Sequence, residues 1–311
     1  MSSAPHAPAA AAPSHVGTHL RLTGMAVLWG ASWPWGRVLA QSLPPLAAAA
    51  CRFLLATVLL MIWLQRSGRL SALRGWSASR WAGMALAASF GVFGYATFFM
   101  LGLKQVPAGK AALVVTMNPA MTLLLAAWIF KEHLNRVIGL GMVLAVVGAI
   151  TVITRGEPWH VLDGRVGSGE LLLLGCVVCW VAYTLIGRRV MAGVDALTTT
   201  GVTAAIGATL LLITSLVVEG AAAWAAVPQA PMKVWVCLVA LAAGSTAVAY
   251  AWYFEGVKAL GAGAASGYIT LVPVFGVAFS ALWLGERIDA SLLVGGAMAI
   301  GGTVLMNVGR R

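Results

Sequence analysis

The sequence predicts an all-α integral membrane protein: ten transmembrane helices arranged as two inverted five-helix repeats. Three observations carry this reading. Of the 311 residues, 60% are hydrophobic and only 9% charged, with a mean hydropathy of +0.91, whereas soluble domains carry roughly 25% charged residues. The apolar residues gather into ten runs that each approach the about 20 residues needed to cross hydrocarbon. The second half of the chain also repeats the first at a constant offset.

The first five runs lie at about 22–41, 46–65, 81–103, 108–130 and 137–154, and the second five at about 169–190, 197–218, 234–257, 262–284 and 292–308. Short polar or helix-breaking pieces separate them, among them Leu43-Pro44-Pro45 and Val106-Pro107-Ala108. Residues 1–20 read as a disordered tail rich in Ala, Pro and His, without the apolar core of a cleavable signal. The expected organisation is a first repeat over 21–154, a periplasmic linker over 155–168 and a second repeat over 169–311.

A net charge of +11 and a pI near 10.2 raise nucleic acid as a partner, but the basic residues sit at the ends of apolar runs instead of forming one patch. With the N-terminus inside, twelve of them, including Arg21, Arg66, Arg69, Arg188, Arg189 and Arg310, fall on the cytoplasmic side. Six fall opposite: Lys104, Lys110, Arg155, Arg165, Lys233 and Arg287. This asymmetry predicts a multi-pass protein of a bacterial-type inner membrane with both termini cytoplasmic, its partners the lipid bilayer and a small-molecule substrate, not nucleic acid. Cys51, Cys176, Cys179 and Cys237 lie inside apolar runs, where there are no loops to staple; the Cys176-x-x-Cys179 spacing reads as small-residue helix packing.

An offset of 154 superposes Gly102 on Gly256, Lys104 on Lys258, Gly109 on Gly263, Thr116 on Thr270, Pro119 on Pro273, Glu132 on Glu286 and Gly148 on Gly302. An offset of 151 brings Trp29 to Trp180, Arg37 to Arg188 and Leu46 to Leu197. Five spans per repeat force the second copy to enter the membrane from the opposite side. Inverted halves that can exchange roles give two states of similar energy, open to opposite sides, which predicts a secondary transporter working by alternating access.

Several motifs then acquire a common meaning: Leu28-Trp29-Gly30-Ala31-Ser32-Trp33, Cys51-Arg52-Phe53-Leu54-Leu55-Ala56, Gly102-Leu103-Lys104, Asn118-Pro119, Phe130-Lys131-Glu132, Val272-Pro273 and Leu284-Gly285-Glu286. In order and spacing over about 22–308 the chain resembles the drug/metabolite transporter superfamily, of the EamA type, and within it the bacterial aromatic amino-acid exporters. The resemblance implies ten helices, a substrate cavity between the halves near mid-bilayer, and export of amino acids or other small metabolites. The basic residues that phosphate-carrying members place in the later helices of each half are reduced here to Lys258, at a span end.

Candidate binding residues are mid-depth aromatics that recur at helical spacing and would suit an apolar or aromatic cargo, together with mid-depth side chains whose polar atoms need partners in hydrocarbon. They are Trp33, Tyr95, Phe99, Asn118, Trp180, Tyr183, Thr184, Tyr250, Tyr253 and Tyr268. Bonding of the tyrosines to neighbouring carbonyls is the structural alternative. Arg52, about two turns into the second span, either receives a substrate carboxylate or snorkels and braces a neighbour. Pro34, Pro119 and Pro273 are expected to kink their helices and serve as hinges.

Among the acids, only Glu255 falls within a span, where an i,i+3 pair with Lys258 or a coupling role for protons are the two readings. Gradient-driven facilitated export is therefore the first mechanism, and a proton-coupled multidrug or metabolite exporter the second. Glu132 and Glu286 are expected to cap the last span of each half. Glycines of the ninth and tenth spans, Gly263, Gly267, Gly295, Gly296, Gly301 and Gly302, mark either sliding helix contacts or a homodimer face.

The sequence contains no G-x-x-x-x-G-K-[ST], no H-E-x-x-H and no buried Ser/His/Asp set, and His6, His15, His19, His133 and His160 all lie outside the expected spans. No cofactor, no metal and no enzymatic activity are expected. A non-transporting membrane scaffold or enzyme is the rival of another class.

Overall fold

The computed structural model describes residues 16–131, 134–161, 163 and 166–310. Among these the secondary structure is helical, in ten long rods: α1 Val16–Ser42, α2 Pro45–Arg66, α3 Ala78–Gln105, α4 Ala108–Val114 and Met117–Phe130, and α5 Arg136–Ile153. The second half supplies α6 Ser168–Val190, α7 Ala196–Val218, α8 Met232–Leu260, α9 Ala262–Ile269 and Val272–Leu284, and α10 Ala290–Gly309. Nine of them are long and apolar enough to cross a bilayer by length and composition; α1, the tenth, is 27 residues long and carries the charged Arg21 and Arg37. Its first turn takes in residues expected to be tail, including His19, because a helix propagates beyond its apolar stretch; residues 1–15 lie outside those described.

The two-fold character of the sequence is visible in the packing. α5 lies along α10 and α2 along α7, each pairing a helix with its own counterpart. The first span of each half crosses to the other: α1 packs on α8 and α9, and α6 on α3 and α4. At the α5–α10 contact the backbones nearly touch, since a Cβ on Gly148 would sit 2.4 Å from Ala299 N and one on Gly302 2.4 Å from Ala145 N. Gly141, Gly148, Gly295 and Gly302 are thus a helix–helix seam within one chain.

Local geometry repeats as well. Lys131 and Gly285 leave α4 and α9 in left-handed conformation, at φ 55° and φ 67°, and four residues later Asn135 and Asp289 cap α5 and α10 by accepting from Ile138 N and Leu292 N. α4 and α9 are each interrupted at matching positions, where Thr116 Oγ1 donates to Leu113 O and Thr270 Oγ1 to Gly267 O, both at 2.6 Å. The breaks fall two to four residues before Pro119 and Pro273, whose missing N–H cannot continue the ladder. Pro34 behaves differently: α1 runs through it unbroken. α3 and α8 each contain a π-helical stretch, Ser89–Gly94 and Ala240–Val248, that register and hydropathy do not reveal.

Candidate functional site

Helix crossing brings most of the mid-depth aromatics into two connected groups. From α1, Trp33 meets Phe99 of α3 at 5.2 Å between ring centroids; Phe99 stacks on Tyr95 at 6.1 Å, Tyr95 meets Trp180 of α6 at 5.9 Å, and Trp180 meets Tyr183 at 6.0 Å. One turn earlier on α1, Trp29 touches Tyr250 and Tyr253 of α8 at 5.2 and 5.6 Å between centroids, and both tyrosines contact Phe254. Trp29 Nε1 donates to Ser245 O and Ser245 Oγ donates back to Leu28 O, at 2.9 and 2.8 Å, within the π-helical stretch of α8. Tyr95, Trp180, Tyr183, Tyr250 and Tyr253 all keep part of their surface accessible.

Arg52 of α2 sits among these groups, its guanidinium carbon 4.9 Å from the Phe53 ring centroid and 5.7 Å from that of Phe99. Tyr95 and Tyr250 are within its electrostatic reach. Further enclosed polar atoms without a partner are the Thr57 hydroxyl on α2 itself, Asn118 Oδ1 and the Thr122 hydroxyl on α4, and the hydroxyls of Thr97 on α3 and Thr199 on α7. Polar atoms left unsatisfied in a bundle interior are costly, and sites that take a ligand are where such cost is tolerated.

The two ends of the bundle differ. At the end where α1 finishes, called the far end, the enclosed charges are neutralised within the protein. Glu286 Oε1 accepts from Ala108 N at 2.7 Å and Oε2 from Gly109 N at 2.9 Å. Arg37 Nε lies 3.3 Å from the same carboxylate, and Arg37 Nη1 donates to the carbonyls of Leu103 and Val106. Lys110 Nζ pairs with Glu170 at 2.5 Å and donates to Ile153 O. Glu219 accepts from Leu46 N and Ala47 N, capping α2. Every residue of Ala108–Val114 is buried.

The near end, where α1 begins, is looser. A Cβ on Gly263 or Gly267, in the matching half-helix of α9, would meet nothing within 4 Å. Arg21 pairs with Glu255 at 2.6 Å with more than half of each side chain exposed, and Arg69 with Asp195 at 2.7 Å. Partial burial raises the proton affinity of Asp195, but the Thr198 hydroxyl and amide and then Arg69 outweigh it and hold this carboxyl below the usual range. A cavity of about 510 Å³ opens here between α4, α5, α6 and the end of α10, lined by Thr122, Asn135, Thr184 and Arg188 among others.

The structure therefore gathers Trp33, Arg52, Tyr95, Phe99, Trp180, Tyr183, Tyr250 and Tyr253, while leaving three predicted residues outside the cluster. Asn118 is buried on α4, its Oδ1 without a partner. Tyr268 stands at the near end, its hydroxyl 2.5 Å from His19 Nδ1. Thr184 bonds Trp180 O and lines the near-end cavity. Two expectations are corrected. Glu255 pairs with Arg21, 234 positions away, because helix crossing offers a nearer cation than Lys258. Glu286 caps α4, not the helix that follows it, for Asp289 already occupies that cap; Glu132 lies outside the described residues. Trp29, Ser245 and Phe53 complete the site, and Ser245 could not have been found from spacing, since its register depends on the π-helical stretch.

Comparison with known proteins agrees with this fold. The profile of the EamA-like transporter family matches twice, over residues 19–154 and 167–308. The chain is 29% identical over 292 residues to the uncharacterized transporter YyaM of Bacillus subtilis, covering 93% of each chain. It is 27% identical to a probable amino-acid metabolite efflux pump of Salmonella typhimurium, covering 92% of this chain and 93% of the relative. It is also 27% identical to a probable terminal-alkyne amino-acid exporter of Streptantibioticus cattleyicolor, over 73% of this chain and 74% of that one. A solved crystal structure at 21% identity shares the fold, with a TM-score of 0.63 over 96% of this chain and all of the other. Two family matches on two inverted five-helix units, interlocked around an aromatic interior, place the chain in the EamA-like transporter family of the drug/metabolite transporter superfamily.

Proposed function

We propose that this carrier exports small amphipathic metabolites, foremost amino acids with aromatic or large apolar side chains, by alternating access down the cargo gradient. The observation that carries the reading is the ring network joining α1, α3, α6 and α8 where the two halves interlock. Rings from both halves would hold the apolar body of the cargo, and Asn118, the enclosed threonines and the interrupted α4 and α9 would meet its polar groups. The breaks before Pro119 and Pro273 serve as hinges in this reading, with Pro34 stiffening α1 between them. Both termini face the cytoplasm, so the near end is the cytoplasmic mouth. Burial of Ala108–Val114 against the open surroundings of Gly263 and Gly267 supports a conformer closed outward and accessible from inside. Proton coupling draws no support from Glu255, which is exposed and paired.

Efflux of labelled phenylalanine and tryptophan from liposomes holding the purified protein, with and without a pH gradient, tests the proposal. Movement independent of the gradient is expected, with loss in the combined Trp33→Ala, Asn118→Ala and Tyr253→Ala variant. Unchanged export by that variant would remove the aromatic site from the mechanism.

A further inference from the structure

We infer that Arg52 is the carboxylate anchor of the carrier and so decides its specificity: cargo must bring an anion to the interior, and aromatic compounds lacking one are rejected. This rests on the function proposed above and adds the chemical group that the cargo must carry. Among the described residues the other two enclosed cations of the spans have carboxylate partners, Arg37 with Glu286 and Lys110 with Glu170. Arg52 has neither hydrogen bond nor ion pair among the described residues; its Nε is enclosed without an acceptor, and its guanidinium lies over the faces of Phe53 and Phe99.

Nor is a carboxylate free to swing in from the helices packed on α2. On α7 Asp195 is held by Thr198 and Arg69 at the near end, and Glu219 spends both oxygens on Leu46 N and Ala47 N at the far end. Glu255 of α8 is held by Arg21. A half-buried guanidinium without a counter-ion, its Nε enclosed, is stabilised by any anion that can reach it, and its planar fork matches a carboxylate bidentately. The flanking rings favour a carboxylate attached to an apolar body over an inorganic ion. Tyr95 and Tyr250, close to the same charge, belong to the two ring groups proposed to clasp that body.

The test compares 3-phenylpropionate with phenethylamine, one ring with opposite charges, by quenching of the protein's tryptophan fluorescence, and phenylalanine with phenylalaninamide by liposome efflux. Wild-type protein should bind 3-phenylpropionate at least tenfold more tightly than phenethylamine and move phenylalanine but not its amide. Arg52→Gln should erase both preferences and Arg52→Lys retain part of them. Equal binding of acid and amine by the wild type overturns the anchor, a result that needs no folded variant. If phenylalanine and its amide move equally well, the anchor falls while the aromatic cargo stands; if neither moves and neither probe binds, both fall together.

Discussion

Glu286→Gln tests whether the far end is held shut by the contacts seen there. The wild-type carboxylate accepts from two backbone amides at 2.7 and 2.9 Å and lies against Arg37, with the side chains only 15% and 17% exposed. Glutamine keeps one acceptor and turns an NH₂ group towards the other amide. Losing one charge-assisted bond costs about 1.5–3 kcal/mol. An Arg37 left without its carboxylate adds about 1–2 kcal/mol, below the roughly 3–5 of a fully buried broken pair, because two carbonyls still accept from it. A sum of about 2.5–5 kcal/mol shifts the closed-to-open ratio by roughly sixty- to several-thousandfold.

The assay is the rate at which a membrane-impermeant maleimide labels Ala111→Cys, a position with 0% exposure beneath the contact, after replacement of Cys51, Cys176, Cys179 and Cys237. Labelling from the far side should be slow in this background and at least tenfold faster with Glu286→Gln. The combined Arg37→Glu and Glu286→Arg swap should not slow it again, since the amides of Ala108 and Gly109 would still lack their acceptor. Equally slow labelling with and without Glu286→Gln, in protein with unchanged circular dichroism, would refute the reasoning.

Other positions give sharper or milder outcomes. Gly148→Val or Gly302→Val forces a side chain onto backbone 2.4 Å away and should cost about 2–4 kcal/mol, read as a fall in Tm in detergent; Gly139→Ala, where a Cβ meets nothing within 4 Å, should leave Tm equal or slightly higher. Glu255→Gln removes an exposed pair and should change stability by less than about 1 kcal/mol. It should also leave efflux unaltered with or without a pH gradient; loss of gradient-driven efflux alone would restore a coupling role. Asp195→Ala should destabilise by about 1 kcal/mol through loss of the α7 cap. Because the folded protein holds the Asp195 carboxyl low, its contribution is present above the ordinary carboxylate range and disappears as pH falls through the lowered value, so wild type and variant should converge in strongly acidic denaturation curves.

Composition and run length were enough to read the bundle because hydrocarbon accepts only helices whose backbone groups are satisfied within the span. The offset that pairs Thr116 with Thr270 and Pro119 with Pro273 reappears as matching breaks in α4 and α9, since a missing proline N–H acts locally. Mid-depth Trp33, Arg52, Tyr95 and Tyr250 stood out for the same reason: their polar atoms have no water to turn to. Spacing could not say which long-range partners these groups would find. Glu286 is 178 positions from the amide of Ala108, and Glu255 is 234 from Arg21; which charge meets which follows from helix crossings. The π-helical stretches of α3 and α8 likewise set the register that brings Ser245 to Trp29. The sequence determined the spans, their inverted repetition and the residues that hydrocarbon cannot tolerate alone. Tertiary packing decided which of those residues are neutralised within the chain and which, like Arg52, meet no counter-ion among the described residues, because compensation of a buried charge depends on atoms brought close by other helices.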